Sequence, residues 1–218
     1  MLFRSAPARG TALCELARRE GFDPALLTLA GLAIHRDDGR DYDRFRHRWV
    51  FPITSDTGRV VAFGARALGD DMPKYLNSPE TPIYSKSRTL YNLSRAKEHI
   101  RRTGQNGQAV LVEGYMDAIA AHQAGVVNVV ASCGTALTAQ QVKMLARYAS
   151  EVIVSYDPDT AGANATDRSL MLLLEEGLTV RIVRLPDKLD PDSFVKQRGG
   201  EAYQSAVANA QQIGRAHV

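Results

Sequence analysis

The sequence predicts an α/β protein whose larger part is a mostly parallel sheet with flanking helices, preceded by a smaller α+β subdomain containing an antiparallel hairpin. Three observations predict it. From Gln108 onward, short apolar runs alternate with helical segments, the rhythm of parallel strands joined by helices. Between Tyr42 and Leu68, two β-rich runs in WVFPITSDTGRVVAFGARAL flank a polar turn at Ser55 to Gly58. Finally, Glu113 in VLVEGYMD and the pair Asp157 and Asp159 in VIVSYDPD each stand where an apolar run ends, which in an open α/β sheet is where ligands collect.

The elements follow in order. Thr11 to Arg19 has helical periodicity, and a short second helix opens at Asp23 and Pro24 and closes near Gly31. The hairpin comes next. The stretch GDDMPKYLNSPETPIYSKSRTLYNL is too interrupted by Pro73, Pro79 and Pro82 for regular structure, and a loop of that length tends to be functional. Ser94 to Arg102 reads as a basic helix and TGQNGQ, 103–108, as a linker. Strands are expected near 109–113, 127–132, 151–156 and 179–185, and helices near 115–124, 138–148, 161–176 and from 193 onward. Thr138 with Gln141 forms the capping box of the second of these helices.

The expected organisation is a basic subdomain over 6–105, an α/β domain over 106–190, and the start of a helical subdomain over 191–212. LFRS and IGRAHV, read back into codons, give the two complementary readings of a common sequencing adapter. Residues 1–5 and 213–218 are therefore expected to be foreign to the protein, and the remainder an internal piece of a longer one.

A hydrophobic share of 44% is enough for a sizeable core, and no apolar stretch has the length of a membrane span. A cytoplasmic, membrane-free monomer is expected. Cys14 and Cys133 form no CxxC, so neither a zinc ribbon nor a disulfide framework is encoded, and no zinc is expected in this stretch. GxGxxG, GxxxxGK[ST] and HExxH are all missing, which removes the motifs of dinucleotide, P-loop and zinc-protease sites. The net charge of +3 conceals an asymmetry. Residues 1–105 carry eighteen Lys and Arg against twelve Asp and Glu, net +6, and residues 106–218 carry nine against twelve, net −3. A basic face beside an acidic cluster suits a protein that holds a polyanion near metal-bound carboxylates, although a solvated surface has the same composition.

Asp157 and Asp159 are two residues apart, so in an extended chain both project to one side while Pro158 projects to the other. Carboxylates gathered there with Glu113 repel one another unless a cation lies between them, and hard oxygen donors suit Mg²⁺ or Mn²⁺. Solvated turns and helix caps are the ordinary alternative for such residues. Arg44, Arg46 and Arg48 alternate on the approach to a strand, which puts their guanidiniums on one side, unless they pair with Asp41 and Asp43. Gly134 and Thr135, in SCGTAL before a helix, offer backbone donors to a phosphate or simply form a tight turn. His47 reads as a surface or packing residue, and Cys133 as a small core residue.

EGYMD at one strand end and DPDTAG at another resemble the Toprim domain of bacterial primases, topoisomerases and some nucleases, over roughly residues 108–190. The strings RFRHRWVFPI, GRVVAFGARAL, PKYLNSPET, LYNL, VEGYMDAIA, HQAGVVNVVASCGTALT and DPD together resemble, in order and spacing, the bacterial DnaG-type primase family. The resemblance implies a Toprim-like fold and a DNA-templated RNA polymerase that makes short RNA primers on single-stranded DNA from ribonucleoside triphosphates. It implies Glu113, Asp117, Asp157 and Asp159 as catalytic residues, and Glu113, Asp157, Asp159, Asp190 and Asp192 as metal ligands for Mg²⁺ or Mn²⁺. For Asp190 and Asp192 an Asp-Pro turn capping the last helix is the competing reading. Arg44, Arg46, Arg48, Lys74, Tyr75, Asn77, Lys86 and Arg88 match the family's basic, DNA- and nucleotide-handling segments, with Tyr75 able to stack on a base. The replicative helicase is implied as a partner through a region outside this sequence, and the bacterial replisome as the location. The family has Gly between the two aspartates where this chain has Pro158, so no amide donor is present there. A Toprim nuclease or topoisomerase fits the acids but leaves PKYLNSPET unexplained. A non-catalytic nucleic-acid-binding module is the remaining alternative.

Overall fold

A computed structural model describes residues 4–134, 136–156 and 163–214. The elements are β1 (Arg4–Ala6), α1 (Ala12–Arg19), α2 (Pro24–Leu29), β2 (Ala33–His35), β3 (Asp41–Asp43), β4 (Arg48–Thr54), β5 (Val60–Ala67), β6 (Tyr75–Asn77), a 3-10 turn (Lys86–Arg88), α3 (Leu93–Arg102), β7 (Gln108–Val112), α4 (Tyr115–Gln123), β8 (Val129–Ala131), α5 (Ala139–Ala146), β9 (Glu151–Val154), α6 (Ala163–Glu175), β10 (Thr179–Ile182), a second 3-10 turn (Pro186–Lys188), α7 (Pro191–Arg198), α8 (Gly200–Ala208) and β11 (Gln211–Gly214). They divide into two units, one built from residues up to 55 and 59–85, the other from 56–58 and residues from 86 onward.

In the first unit, Asp23 caps α2 by accepting the Ala25 N–H at 2.9 Å, with Pro24 at the first helical position. Helix α1 is capped from a distance. The buried carboxylate of Asp43, on β3, accepts the N–H groups of Leu13 at 2.8 Å and Cys14 at 2.9 Å, satisfying donors that the helix itself leaves unpaired. Cys14, Ala17, Leu27 and Ala33 form a small core beneath it. The expected hairpin is present as β4 and β5, with Phe51 opposite Gly64 and Ile53 opposite Ala62. It is the centre of a four-stranded antiparallel sheet in the order β1-β4-β5-β6.

Strand β6 corrects the expectation that the proline-interrupted stretch lacks regular structure. Tyr75, Leu76 and Asn77 pair with Arg66, Ala65 and Gly64. Buried Ser78 closes the strand, donating its N–H to the Phe63 carbonyl at 2.8 Å and accepting the Phe63 N–H on Oγ at 3.0 Å. Three residues between prolines at an edge carry too little periodicity to be read as a strand.

The second unit is the expected α/β sheet, in the order β11-β10-β9-β7-β8, parallel from β10 through β8 and antiparallel only at β11. Its strands are almost wholly apolar because helices cover both faces: Val110, Leu111, Val112, Val129, Val130, Val152 and Val180 are all buried. The capping box of α5 is present, Thr138 Oγ1 accepting the Gln141 N–H and Gln141 Oε1 accepting the Thr138 N–H, both at 3.1 Å. Gly107 enters β7 with φ +88°, where any Cβ would collide with the Tyr148 carbonyl oxygen.

The units do not meet at the expected 105/106 boundary. Helix α3 belongs to the second unit because Leu93, Ala96 and Ile100, spaced i, i+3 and i+7, are buried in the core formed with Leu111, Val130 and Leu145. The expected boundary rested on TGQNGQ, 103–108, read as a linker, which leaves this helix before it. Helices α7 and α8 likewise pack within this unit rather than as a separate subdomain: Phe194 and Tyr203 are buried, and α7 lies against α4. Among the described residues, no helix is long and apolar enough to cross a membrane.

Candidate catalytic site

In the order β10-β9-β7-β8, the chain leaves β7 for β8 on one side and returns to β9 on the other, so the sheet's switch point falls between β7 and β9. Glu113 is the first residue beyond β7 at that point. Its carbonyl oxygen accepts the Cys133 N–H at 2.9 Å from the turn after β8, and on the other side the Ser155 N–H donates to Leu111 O at 2.9 Å. The three strand ends are thereby locked side by side, with the half-buried Glu113 in the middle.

Asp157, Asp159 and Thr135 lie outside the described residues. The two residues leading to the aspartates are firmly held. Ser155 is fully buried, and its Oγ accepts the Tyr203 hydroxyl at 3.1 Å from α8. Tyr156 hydrogen-bonds Ser169 on α6; burial, together with the Glu113 charge, pushes its phenol above the ordinary value. Tyr203 is a supporting residue that sequence reasoning did not single out, because a tyrosine on an apolar helix face reads as core.

Asp117 occupies the first turn of α4. Its Oδ2 accepts the Gly114 N–H at 3.0 Å and its Oδ1 the Asp192 N–H at 3.3 Å, so it bridges the start of α4 to the start of α7. Asp190 caps α7, accepting the Ser193 N–H at 2.6 Å, and Asp192 pairs with Lys196 at 2.6 Å. The capping alternative for Asp190 is thus what the geometry displays, while the same turn brings Asp190 and Asp192 up to Asp117. Burial and then the Asp190 charge push the Asp117 carboxyl up to about 6, against the lowering effect of its two N–H bonds.

Among the described residues, no three His, Cys, Asp or Glu side chains converge tightly enough to hold a metal ion. Glu113, described at the end of β7, offers a carboxylate, a donor that suits Mg²⁺ or Mn²⁺ rather than zinc. Cys133 is buried, and burial pushes its thiol well above the ordinary range, as befits a core residue. With φ of +46° at Cys133 and +87° at Gly134, the chain turns left-handed at two successive residues there.

The basic residues separate by unit. In the first, Arg44 donates from Nε and Nη2 to the Asn77 carbonyl at 3.2 and 3.0 Å, and Arg48, only 5% exposed, donates to the Pro73 carbonyl at 2.7 Å. These two guanidiniums strap the segment from Pro73 to Asn77 to the chain entering β4, holding Lys74 and Tyr75 exposed. The expected strand-like alternation is absent, since β4 begins only at Arg48 and His47 has φ +50°. Even so, Arg44, Arg46 and Arg48 line one groove of about 420 Å³ together with Pro73 and Leu76. The acids suspected of neutralising them are otherwise engaged: Asp43 caps α1, and Asp41 meets Arg18 at 3.4 Å and His35 at 2.9 Å. His47 is a surface residue, 2.9 Å from Asp71. Lys86 and Arg88 belong to the second unit, where the Lys86 carbonyl accepts from Gln141 Nε2 at 3.0 Å and Arg88 donates to Gln140 at 2.9 Å.

Comparison with known proteins agrees with this architecture. The family described as DNA primase catalytic core, N-terminal domain, matches residues 5–97, and a Toprim-like family matches 110–195. The DNA primase of Halalkalibacterium halodurans is 46% identical over 203 residues, covering 93% of this chain and 33% of that protein. The RNA polymerase domain of Mycobacterium tuberculosis primase DnaG superimposes with a TM-score of 0.84 at 36% identity, covering 96% of this chain and 70% of that one. A DnaG primase catalytic domain bound to single-stranded DNA superimposes with a TM-score of 0.83 at 39% identity, covering 96% and 66%. Fold and site therefore define a Toprim-type α/β catalytic core with an antiparallel-sheet companion. More narrowly, the chain belongs to the bacterial DnaG-type primase family. It spans about a third of the length of the curated relatives it matches.

Proposed function

We propose that this chain is the central polymerase portion of a DNA primase, a DNA-templated RNA polymerase that joins ribonucleotides into short primers on single-stranded DNA in the bacterial cytoplasm. The observation that carries the reading is the position of Glu113, held at the β7/β9 switch point beside the segment that leads to Asp157 and Asp159. In the reaction, the 3′-hydroxyl oxygen of the growing primer bonds to the α-phosphorus of a nucleoside triphosphate and loses its proton, while the bond from that phosphorus to the bridging oxygen breaks and pyrophosphate departs. Glu113, Asp157 and Asp159 would hold Mg²⁺ or Mn²⁺, which lowers the hydroxyl's pKa and offsets charge on the attacking and leaving oxygens. Asp190 and Asp192 supply a further acidic position. Asp117 orients two of these elements through the N–H groups of Gly114 and Asp192. No protein nucleophile is required. The basic groove and Lys74 would meet template phosphates, which attract Arg and Lys without regard to sequence.

Grafting residues 6–211 into a complete primase in place of its matching region tests the reading. With template, ribonucleotides and Mg²⁺, the chimera should make short RNA that disappears with Glu113→Gln. Metal-dependent DNA cleavage without RNA synthesis would favour a nuclease instead.

A further inference from the structure

The basic 3-10 turn Lys86–Arg88 is held from below by the first turn of α5, within the second unit. The capping box of α5 uses Gln141 Oε1 and Thr138 Oγ1 as acceptors. Their donors serve the basic turn instead. Gln141, fifty-five residues beyond Lys86, donates from Nε2 to the Lys86 carbonyl at 3.0 Å and to the Thr89 carbonyl at 2.8 Å. The Thr138 hydroxyl donates to the Ser87 carbonyl at 2.6 Å. Further out, Gln140 Oε1 accepts from Arg88 Nε at 2.9 Å and from the Ser87 hydroxyl at 3.2 Å. Gln141 is completely buried, with its amide oxygen facing an N–H and its nitrogen facing two carbonyls, so only one orientation of the amide satisfies the site.

A three-residue 3-10 turn does not hold its own shape. Its internal bond, from the Thr89 N–H to the Lys86 carbonyl, is 3.4 Å long, beyond the usual range for an amide donor. The donors of α5 therefore set the turn's conformation, and with it the points from which Lys86 and Arg88 project. Their location gives the two cations a task. Tyr91, just after the turn, exchanges backbone hydrogen bonds with Ala131 at the end of β8, and beyond Ala131 the Cys133 N–H donates to the Glu113 carbonyl. Helix α5 follows the end of β8, so its first turn and the basic turn upon it lie at the carboxyl edge of the sheet, where Glu113 stands. A nucleoside triphosphate carries more negative charge than a metal between carboxylates offsets, and a fixed Lys and Arg can meet the remainder. We infer that Gln141 is a positioning residue, its buried amide fixing the turn that presents Lys86 and Arg88 to the triphosphate of the incoming ribonucleotide. The inference rests on the primase reading and deepens it by naming the group, beneath the basic turn, that sets where its cations stand.

The test uses a complete primase carrying residues 6–211 of this chain, with template saturating and ribonucleotide varied. Gln141→Glu keeps the length of the side chain and the oxygen that accepts the Thr138 N–H, but turns an acceptor toward the carbonyls of Lys86 and Thr89. KM for ribonucleotide should rise about ten-fold while kcat changes by less than about two-fold, the pattern of binding lost equally from ground and transition state. Gln141→Met adds no charge and should give the same split, which keeps the result readable if Gln141→Glu does not fold. Lys86→Ala should also raise KM, and adding it to Gln141→Met should raise KM by clearly less than the product of the two single effects, because changes that act through one side chain do not add. Effects that multiply in full overturn the inference, as does an unchanged KM in a folded Gln141 variant or in Lys86→Ala, or a loss confined to kcat. In each of these outcomes the parent graft still makes RNA and the primase reading stands, since that reading fails only if the parent graft makes none.

Discussion

Asp117 accepts the backbone N–H of Asp192 at 3.3 Å across seventy-five residues of sequence. One carboxylate thus ties the helix that follows the Glu113 strand end to the helix that carries the other acidic turn. It does so while buried beside Asp190, and that is why its carboxyl is pushed up to about 6.

The first prediction concerns pH. Relative to the ordinary value of 3.8, the folded chain retains a proton on Asp117 that the unfolded chain releases. Its stabilising contribution is fully present below about pH 4 and is lost as pH rises through about 6, a change of roughly 3 kcal/mol. Urea unfolding in EDTA between these pH values should show that slope in the parent chain and a markedly flatter one in Asp117→Asn. An unchanged slope would assign the pH dependence to other groups.

A second prediction concerns the remote cap. Asp43→Ala strands two N–H groups at the start of α1 and should cost about 2 kcal/mol in chemical unfolding, whereas Asp43→Asn keeps one acceptor and should cost less. Equal stability of all three chains would mean that water replaces the cap freely.

These two residues mark the limit of what could be read in advance. The parallel sheet, its alternation with helices and the strand-end position of Glu113 were legible because buried parallel strands are continuous apolar runs bounded by polar turns. Thr138 and Gln141 were legible because a capping box is local. The Asp43 cap, the Asp117–Asp192 contact and the straps from Arg44 and Arg48 join residues that are distant in sequence, and no local pattern encodes such pairs. The polar, glycine-containing TGQNGQ reads locally as a linker after α3, whereas the buried spacing of Leu93, Ala96 and Ile100 decides where that helix packs.

The third prediction is that Tyr203→Phe, which leaves the buried Ser155 hydroxyl without its donor, destabilises the chain by roughly 1–2 kcal/mol. Thermal or urea unfolding measures it directly. No change would show that Ser155 finds another partner.

Fourth, Lys74 and Arg48 should behave differently although both are basic. Lys74→Ala should leave unfolding unaltered and lower the slope of log K against log salt for single-stranded DNA by about 0.7. Arg48→Ala removes a buried strap on Pro73 and should lower stability as well. Identical effects of the two on stability would contradict the division between supporting and contacting arginines and lysines.

The acids that follow β7 and β9 are expected to act together on a divalent cation, and direct titration of Mn²⁺ into the folded chain tests this without requiring turnover. Saturable binding is expected, and Glu113→Gln, Asp157→Asn and Asp159→Asn should each weaken it by about ten-fold or more in proteins that remain folded. Affinity unchanged in all three variants would contradict it.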